Sequence, residues 1–224
     1  MNTDLALLRL LQLVSPGLPI GMYSYSQGLE CAFDEAWVGN AEEAGEWIGG
    51  LLENCLLHID LPLASRLYDA WRRNDEAGVG LWSGMLMACR ETSELREEDR
   101  QTGQALARLL VDLELDQAGP WLRRSDTTLA TMYTLAAVSW HIPKREALTG
   151  LVWSWLENQV LCAVKLVPLG QVAGQRLLQT LAARIPDLVR QGMQLNDDDI
   201  GGSAFGLALA SSRHEMQYSR LFRS

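Results

Sequence analysis

An all-α fold, a single-domain multi-helix bundle with a C-terminal docking tail, is predicted for this chain by two observations. Apolar residues recur at helical spacing through nearly every segment, and no run of β-branched residues alternates at period two between hairpin turns. A third observation bounds the size. At 224 residues, 48% hydrophobic and 21% charged, the chain has the composition of a folded globular protein and needs no disulfide or metal staples to bury a core.

Residues 4–13 carry leucines at positions 5, 8, 10, 11 and 13 as one broad stripe, which stops at Ser15-Pro16 because proline disfavours helix in the residue before it. Residues 16–21 are too rich in proline and glycine for helix, yet Leu18 and Ile20 call for burial, so a packed loop is expected. Helix resumes over 24–35. Asn40 and Glu43 then form a capping box launching a helix to about His58. Further helices are expected over 61–73, 81–90, 94–115 and 127–141, with Asp60, Ser93 and Asp126 as caps and Gly78/Gly80 and Gly119-Pro120 as breaks. Pro143 suits the first turn of the next helix, to about Leu166, whose apolar residues cover most of its surface and make it the expected central helix. Residues 171–184 are helical again before Pro186 interrupts. Residues 196–199 with Gly201 and Gly202 read as an acidic, flexible connector. The domain is expected to span 1–210, followed by a net basic tail, 211–224, loosely ordered until it meets a partner.

A formal charge of −9 argues against nucleic acid and anionic membrane as partners, since both require cationic patches. No apolar run reaches the roughly 18 residues of a membrane span and the N-terminus lacks a basic leader, so a cytoplasmic protein is expected. Cys31, Cys55, Cys89 and Cys162 lie far apart with no C-x-x-C pair and read as reduced core thiols. Phosphate-loop, dinucleotide, H-E-x-x-H and nucleophile-elbow patterns are absent. His58, His141 and His214 are scattered, and no two of them lie within a turn of one another, so neither metal nor cofactor is expected.

Four places stand out. Residues 15–30 crowd hydroxyls and glycines between two helices. Residues 93–100 alternate charges at i,i+3 and i,i+4 spacing, the usual pattern of a solvated helix face. Lys165, one of two lysines, sits in an apolar helix end. The tail mixes Tyr218, Leu221 and Phe222 with arginines, the composition of a segment that docks.

Together these places resemble the UreF family of urease accessory proteins, all-helical factors of nickel metallocentre assembly. The similarity runs from Leu8 to Ser224 and is most specific over residues 11–30 (LQLVSPGLPIGMYSYSQGLE), 164–175 (VKLVPLGQVAGQ) and 212–223 (SRHEMQYSRLFR), with Glu94, Leu95, Arg96 and Gly103 a weaker fourth. The resemblance implies a non-enzymatic adaptor and checkpoint, without a cofactor of its own. Such a protein joins a UreD/UreH-type scaffold and the UreG GTPase on urease apoprotein, and the assembly couples GTP hydrolysis to nickel delivery; a homodimer within the complex is left open. The partner-binding residues it points to are Tyr23, Ser24, Ser26, Glu30, Arg96, Lys165, Gln171, Gln175, Arg213, His214, Tyr218, Arg220, Leu221, Phe222 and Arg223. The tail is associated with scaffold binding and dimer organisation, and the N-terminal motif with Lys165 is associated with control of the GTPase or of activation fidelity. The competing reading is an all-α enzyme using Glu30, His214 and Arg220 in an acid-base site. A concave pocket joining them, with perturbed ionisation, would favour it.

Overall fold

A computed structural model describes residues 3–223; Met1, Asn2 and Ser224, the outer ends of the expected domain and tail, lie outside the described residues. Among those described there is no strand, and no helix is long and apolar enough to cross a membrane. The helices are α1 (Thr3–Leu13), α2 (Leu29–Asp34), α3 (Ala41–Leu51), α4 (Leu61–Arg72), α5 (Glu76–Ala88), α6 (Ser93–Asp112), α7 (Leu129–Ser139), α8 (Lys144–Leu166), α9 (Gln171–Ala182), α10 (Ile185–Gly192) and α11 (Phe205–His214). A π-helix, Leu52–Asp60, joins α3 to α4 without a break.

The 23-residue α8 is central, as its composition demands: it packs on α1, α2, α3, α4, α7, α9 and α10. Leu148, Val152, Leu156 and Val160 are buried in that core, where each contributes about 1.5–3 kcal/mol by leaving water. A second layer is built by α4, α5, α6 and α7, and α11 lies across α2 and α6. Gly103 of α6 lies against the backbone of Thr128, where a Cβ would meet the carbonyl carbon at 2.5 Å; only glycine lets these two helices approach so closely.

Several boundaries differ from the sequence expectation, each for a local reason. Asn40 does cap α3, its Oδ1 accepting from the amides of Glu42 and Glu43, while the Glu43 carboxylate reaches the Gly39 amide. Asp60 is no cap, because its carboxylate is drawn to Arg90 at 2.5 Å and the chain runs helically from π to α through it. Gly78 and Gly80 lie inside α5 rather than breaking it; Asp75 caps that helix by accepting from the Gly78 amide. Thr92 and Thr128 cap α6 and α7 in place of Ser93 and Asp126, and Asp126 pairs instead with Arg124. The second helix begins at Leu29, not Ser24, because Gln27 and Gly28 are both left-handed, with φ of 52° and 77°. The acidic connector is tied down: Asp197 accepts from Arg66, and the Gly201 amide donates to the His58 carbonyl. α11 crosses residue 210, and beyond it the chain folds back so that Phe222 is buried.

Candidate functional site

The loop between α1 and α2 and the C-terminal segment meet at a cluster of ionised groups. Glu30, in the first turn of α2, is buried, and its carboxylate accepts the backbone amides of Leu221 at 2.6 Å and Phe222 at 2.8 Å. The Arg223 amide donates to the Ser24 carbonyl at 2.8 Å, which extends the strap by one residue. His214, at the end of α11, has no exposed surface. Its Nδ1 lies 2.9 and 3.1 Å from the two oxygens of Glu94, and its Nε2 lies 3.3 Å from Glu30. Burial by itself disfavours the imidazolium, but hydrogen bonds and charge from Glu94, then from Glu30, outweigh it and the histidine pKa rises. Arg220 also reaches Glu94, at 3.2 Å.

The loop that presents Glu30 is held in a costly conformation. Gln27 at positive φ costs roughly 1–2 kcal/mol. It is fixed by donating to Glu98 at 2.8 Å and accepting from the Trp155 indole at 2.7 Å. Asn158 donates to the Tyr25 carbonyl and Tyr23 donates to Glu157, so α8 grips the loop along its length. Burial, reinforced by Glu157, pushes the Tyr23 phenol far up, so it stays a neutral donor. Gly28 is needed twice: its φ is positive, and a Cβ there would lie 3.0 Å from the Ala210 Cβ of α11.

The sequence-predicted residues divide into four groups. Glu30, His214, Arg220, Leu221, Phe222, Arg223 and the Ser24 carbonyl come together in the strap, and Lys165 reaches it across α8, its ammonium 5.4 Å from the Phe222 ring centre. Ser26, fully buried, accepts the Glu30 amide, and Tyr23 is half-buried on α8. Arg213 pairs with Glu35 and lies over Trp37, while Tyr218 is fully exposed. Arg96 turns away to the Arg90 carbonyl, and Gln171 and Gln175 lie one turn apart on the exposed side of α9. Those three are outside the strap.

The predicted site residues omit Glu94, Gln27 and Glu98, although Glu94 and Gln27 lie in stretches that carry the resemblance. The charge run 93–100 is only partly a solvated face: Arg96 is exposed and the Glu97–Arg100 pair half-exposed, but Glu98 and Asp99 are buried and the Glu94 side chain is 10% exposed. Only the glutamine's place beside a glycine hinted at its left-handed backbone. The four cysteines are free. Burial pushes the thiols of Cys55 and Cys162 up to about 12, so neither carries the thiolate that reactivity requires.

Ionisation in the cluster is perturbed at His214. A cavity of about 110 Å³ lies beside it, lined by Gln27, Asp60, Arg90, Glu98, Asp99 and Trp155 among others, and a shallow depression between α2 and α11 is lined by Cys31, Asp34, Glu35, Arg213, Met216 and Gln217. Glu30, His214 and Arg220 line neither, so neither hollow joins the three residues of the acid-base reading. Among the described residues no group of three His, Cys, Asp or Glu side chains is placed to hold a metal ion.

Comparison with known proteins identifies the family of the chain. A sequence model of the family described as UreF matches residues 38–182. The chain is 52% identical to the urease accessory protein UreF of Alkalilimnicola ehrlichii, over 100% of this chain and 98% of that protein. It is 46% identical to the UreF of Hahella chejuensis, over 98% and 99% of the two chains, and 47% identical to one from Pseudomonas putida over the whole of both. Identity at this level from end to end, together with the matched family model, shows that the chain belongs to the UreF family of urease accessory proteins.

Proposed function

We propose that the protein is the adaptor and checkpoint of urease maturation, joining a UreD/UreH-type scaffold and the UreG GTPase on urease apoprotein while nickel, as cargo, is inserted. Membership of an accessory family implies a role other than catalysis. The observation that carries the finer reading is the convergence at one surface of the loop 22–30, Lys165 and the segment 214–223. Tyr218, Leu221 and Met216 of that segment stand exposed, Lys165 lies over the neighbouring Phe222 ring, and Arg213 shares a depression with Met216. Exposed aromatic and aliphatic anchors ringed by charge are the usual makings of an interface. A buried ionic cluster beneath them holds the surface in one shape, which lowers the entropy cost of docking.

Affinity capture of scaffold, GTPase and urease apoprotein by the full-length chain tests the reading. The expected result is a complex containing the scaffold, with loss of the scaffold on Tyr218→Asp combined with Leu221→Asp. Undiminished capture by a folded double variant removes this surface from the proposal.

A further inference from the structure

We propose that His214 is a proton-operated latch: as the imidazolium it bridges Glu30 and Glu94 and holds residues 215–223 against the loop 22–28, and as the neutral imidazole it releases them. The proposal concerns this chain alone and does not depend on what the segment binds.

The geometry requires two donors. Nδ1 faces Glu94 and Nε2 faces Glu30, both within hydrogen-bond range. A neutral imidazole has one N–H, so after deprotonation one ring nitrogen would turn a lone pair towards a carboxylate in a site shielded from water. The charges balance in the same way. Two carboxylates face the ring, Glu30 from α2 and Glu94 from α6, and Arg220 of the terminal segment neutralises one of them. The proton on His214 neutralises the other. The remaining charges nearby are directed elsewhere: Glu215 accepts from Ser93, Arg213 pairs with Glu35, Asp34 accepts from Gln217, and Lys165 of α8 lies over Phe222.

Glu30 couples the ring to the strap, because the Oε2 that faces His214 also accepts the Phe222 amide, while Oε1 of the same carboxylate accepts the Leu221 amide. Losing the imidazolium therefore weakens the anchor of the strap as well as the end of α11. Release withdraws Arg220 from Glu94 and Phe222 from its buried site, so the opening is cooperative and localised.

The direction follows from linkage. The histidine pKa is raised in the latched state, so the latch is at full strength below the ordinary value of about 6.5 and is lost as pH rises through the raised value. Between those limits opening releases one proton, and the open population grows by up to about tenfold per pH unit.

Pulsed amide hydrogen exchange on the full-length chain, corrected for intrinsic rates, from about pH 6 to about pH 9, reads this at Leu221 and Phe222. Their protection is expected to be flat near pH 6, to fall towards tenfold per unit above about 6.5 and then to level off, while core amides of α8 stay protected. His214→Gln is expected to abolish the slope, and Glu94→Gln to move the midpoint downwards. Protection of the two amides that is constant across the range in the native protein overturns the latch, as does a slope that survives in His214→Gln. If His214→Gln does not fold, an unshifted midpoint in Glu94→Gln overturns it equally.

Discussion

Glu30 and Phe222 stand 192 positions apart, and the carboxylate of the first accepts the main-chain amide of the second at 2.8 Å. Because the acceptor is ionised and buried, this bond and its neighbour from Leu221 belong to the charge-assisted class, stronger than bonds between neutral groups. The C-terminal segment is thereby attached to the N-terminal motif through backbone, which leaves the side chains of Tyr218 and Leu221 outward.

Glu30→Gln keeps the shape and removes the charge. One amide keeps a carbonyl acceptor, the other faces an amino group, and His214 loses a carboxylate. A loss of about 1.5–3 kcal/mol is expected. The denaturant midpoint checks it, together with faster tryptic cleavage at Arg220. An unchanged cleavage rate means the strap is held by other contacts.

Gly28→Ala puts a methyl group 3.0 Å from Ala210 on a residue whose φ is 77°. Both effects disfavour the close approach of α2 and α11, and together they are expected to cost about 1–3 kcal/mol. A thermal midpoint within a degree of the parent would show that the loop accommodates the change.

Truncation after Ala210 removes the last turn of α11 with the buried Ser211, His214 and Phe222, so the melting temperature is expected to fall by several degrees. Truncation after Gln217 spares His214 and cuts only the strap. We expect the shorter deletion to retain the helical circular-dichroism signal and a midpoint closer to the parent, while losing capture of the UreD/UreH-type scaffold. Scaffold capture by the shorter deletion at parental strength assigns docking elsewhere.

Lys165 is exposed and interacts with the Phe222 ring at a distance that contributes only about 0.5–1 kcal/mol. Lys165→Ala should therefore fold almost normally and change urease activation or its GTP dependence. Normal activation by the folded variant would leave Lys165 a structural neighbour of Phe222 and nothing more.

The sequence by itself determined most of the helices, because their signals are local; α10, which starts at the Pro186 that was read as an interruption, and α11 were not among those predicted. The apolar spacing of α1 and α8, the cap at Asn40 and the prolines at 143 and 186 all act within a turn or two of their own position. Where those signals were ambiguous the boundaries moved: Asp60 could have capped α4, and Gly78 could have broken α5, until Arg90 and Asp75 were placed. The three stretches that make up the proposed docking surface were also legible, through resemblance. What only the tertiary structure decided is how they meet. Glu94 sits in a charge run whose spacing is the same on a solvated face and a buried one, and it becomes a buried partner only because His214 arrives from 120 positions away. Gln27 is held left-handed by Glu98 and Trp155, which lie 71 and 128 positions distant. Ionic pairing across such loops depends on how the whole chain closes, and the spacing of residues within a single helix carries no record of that closure.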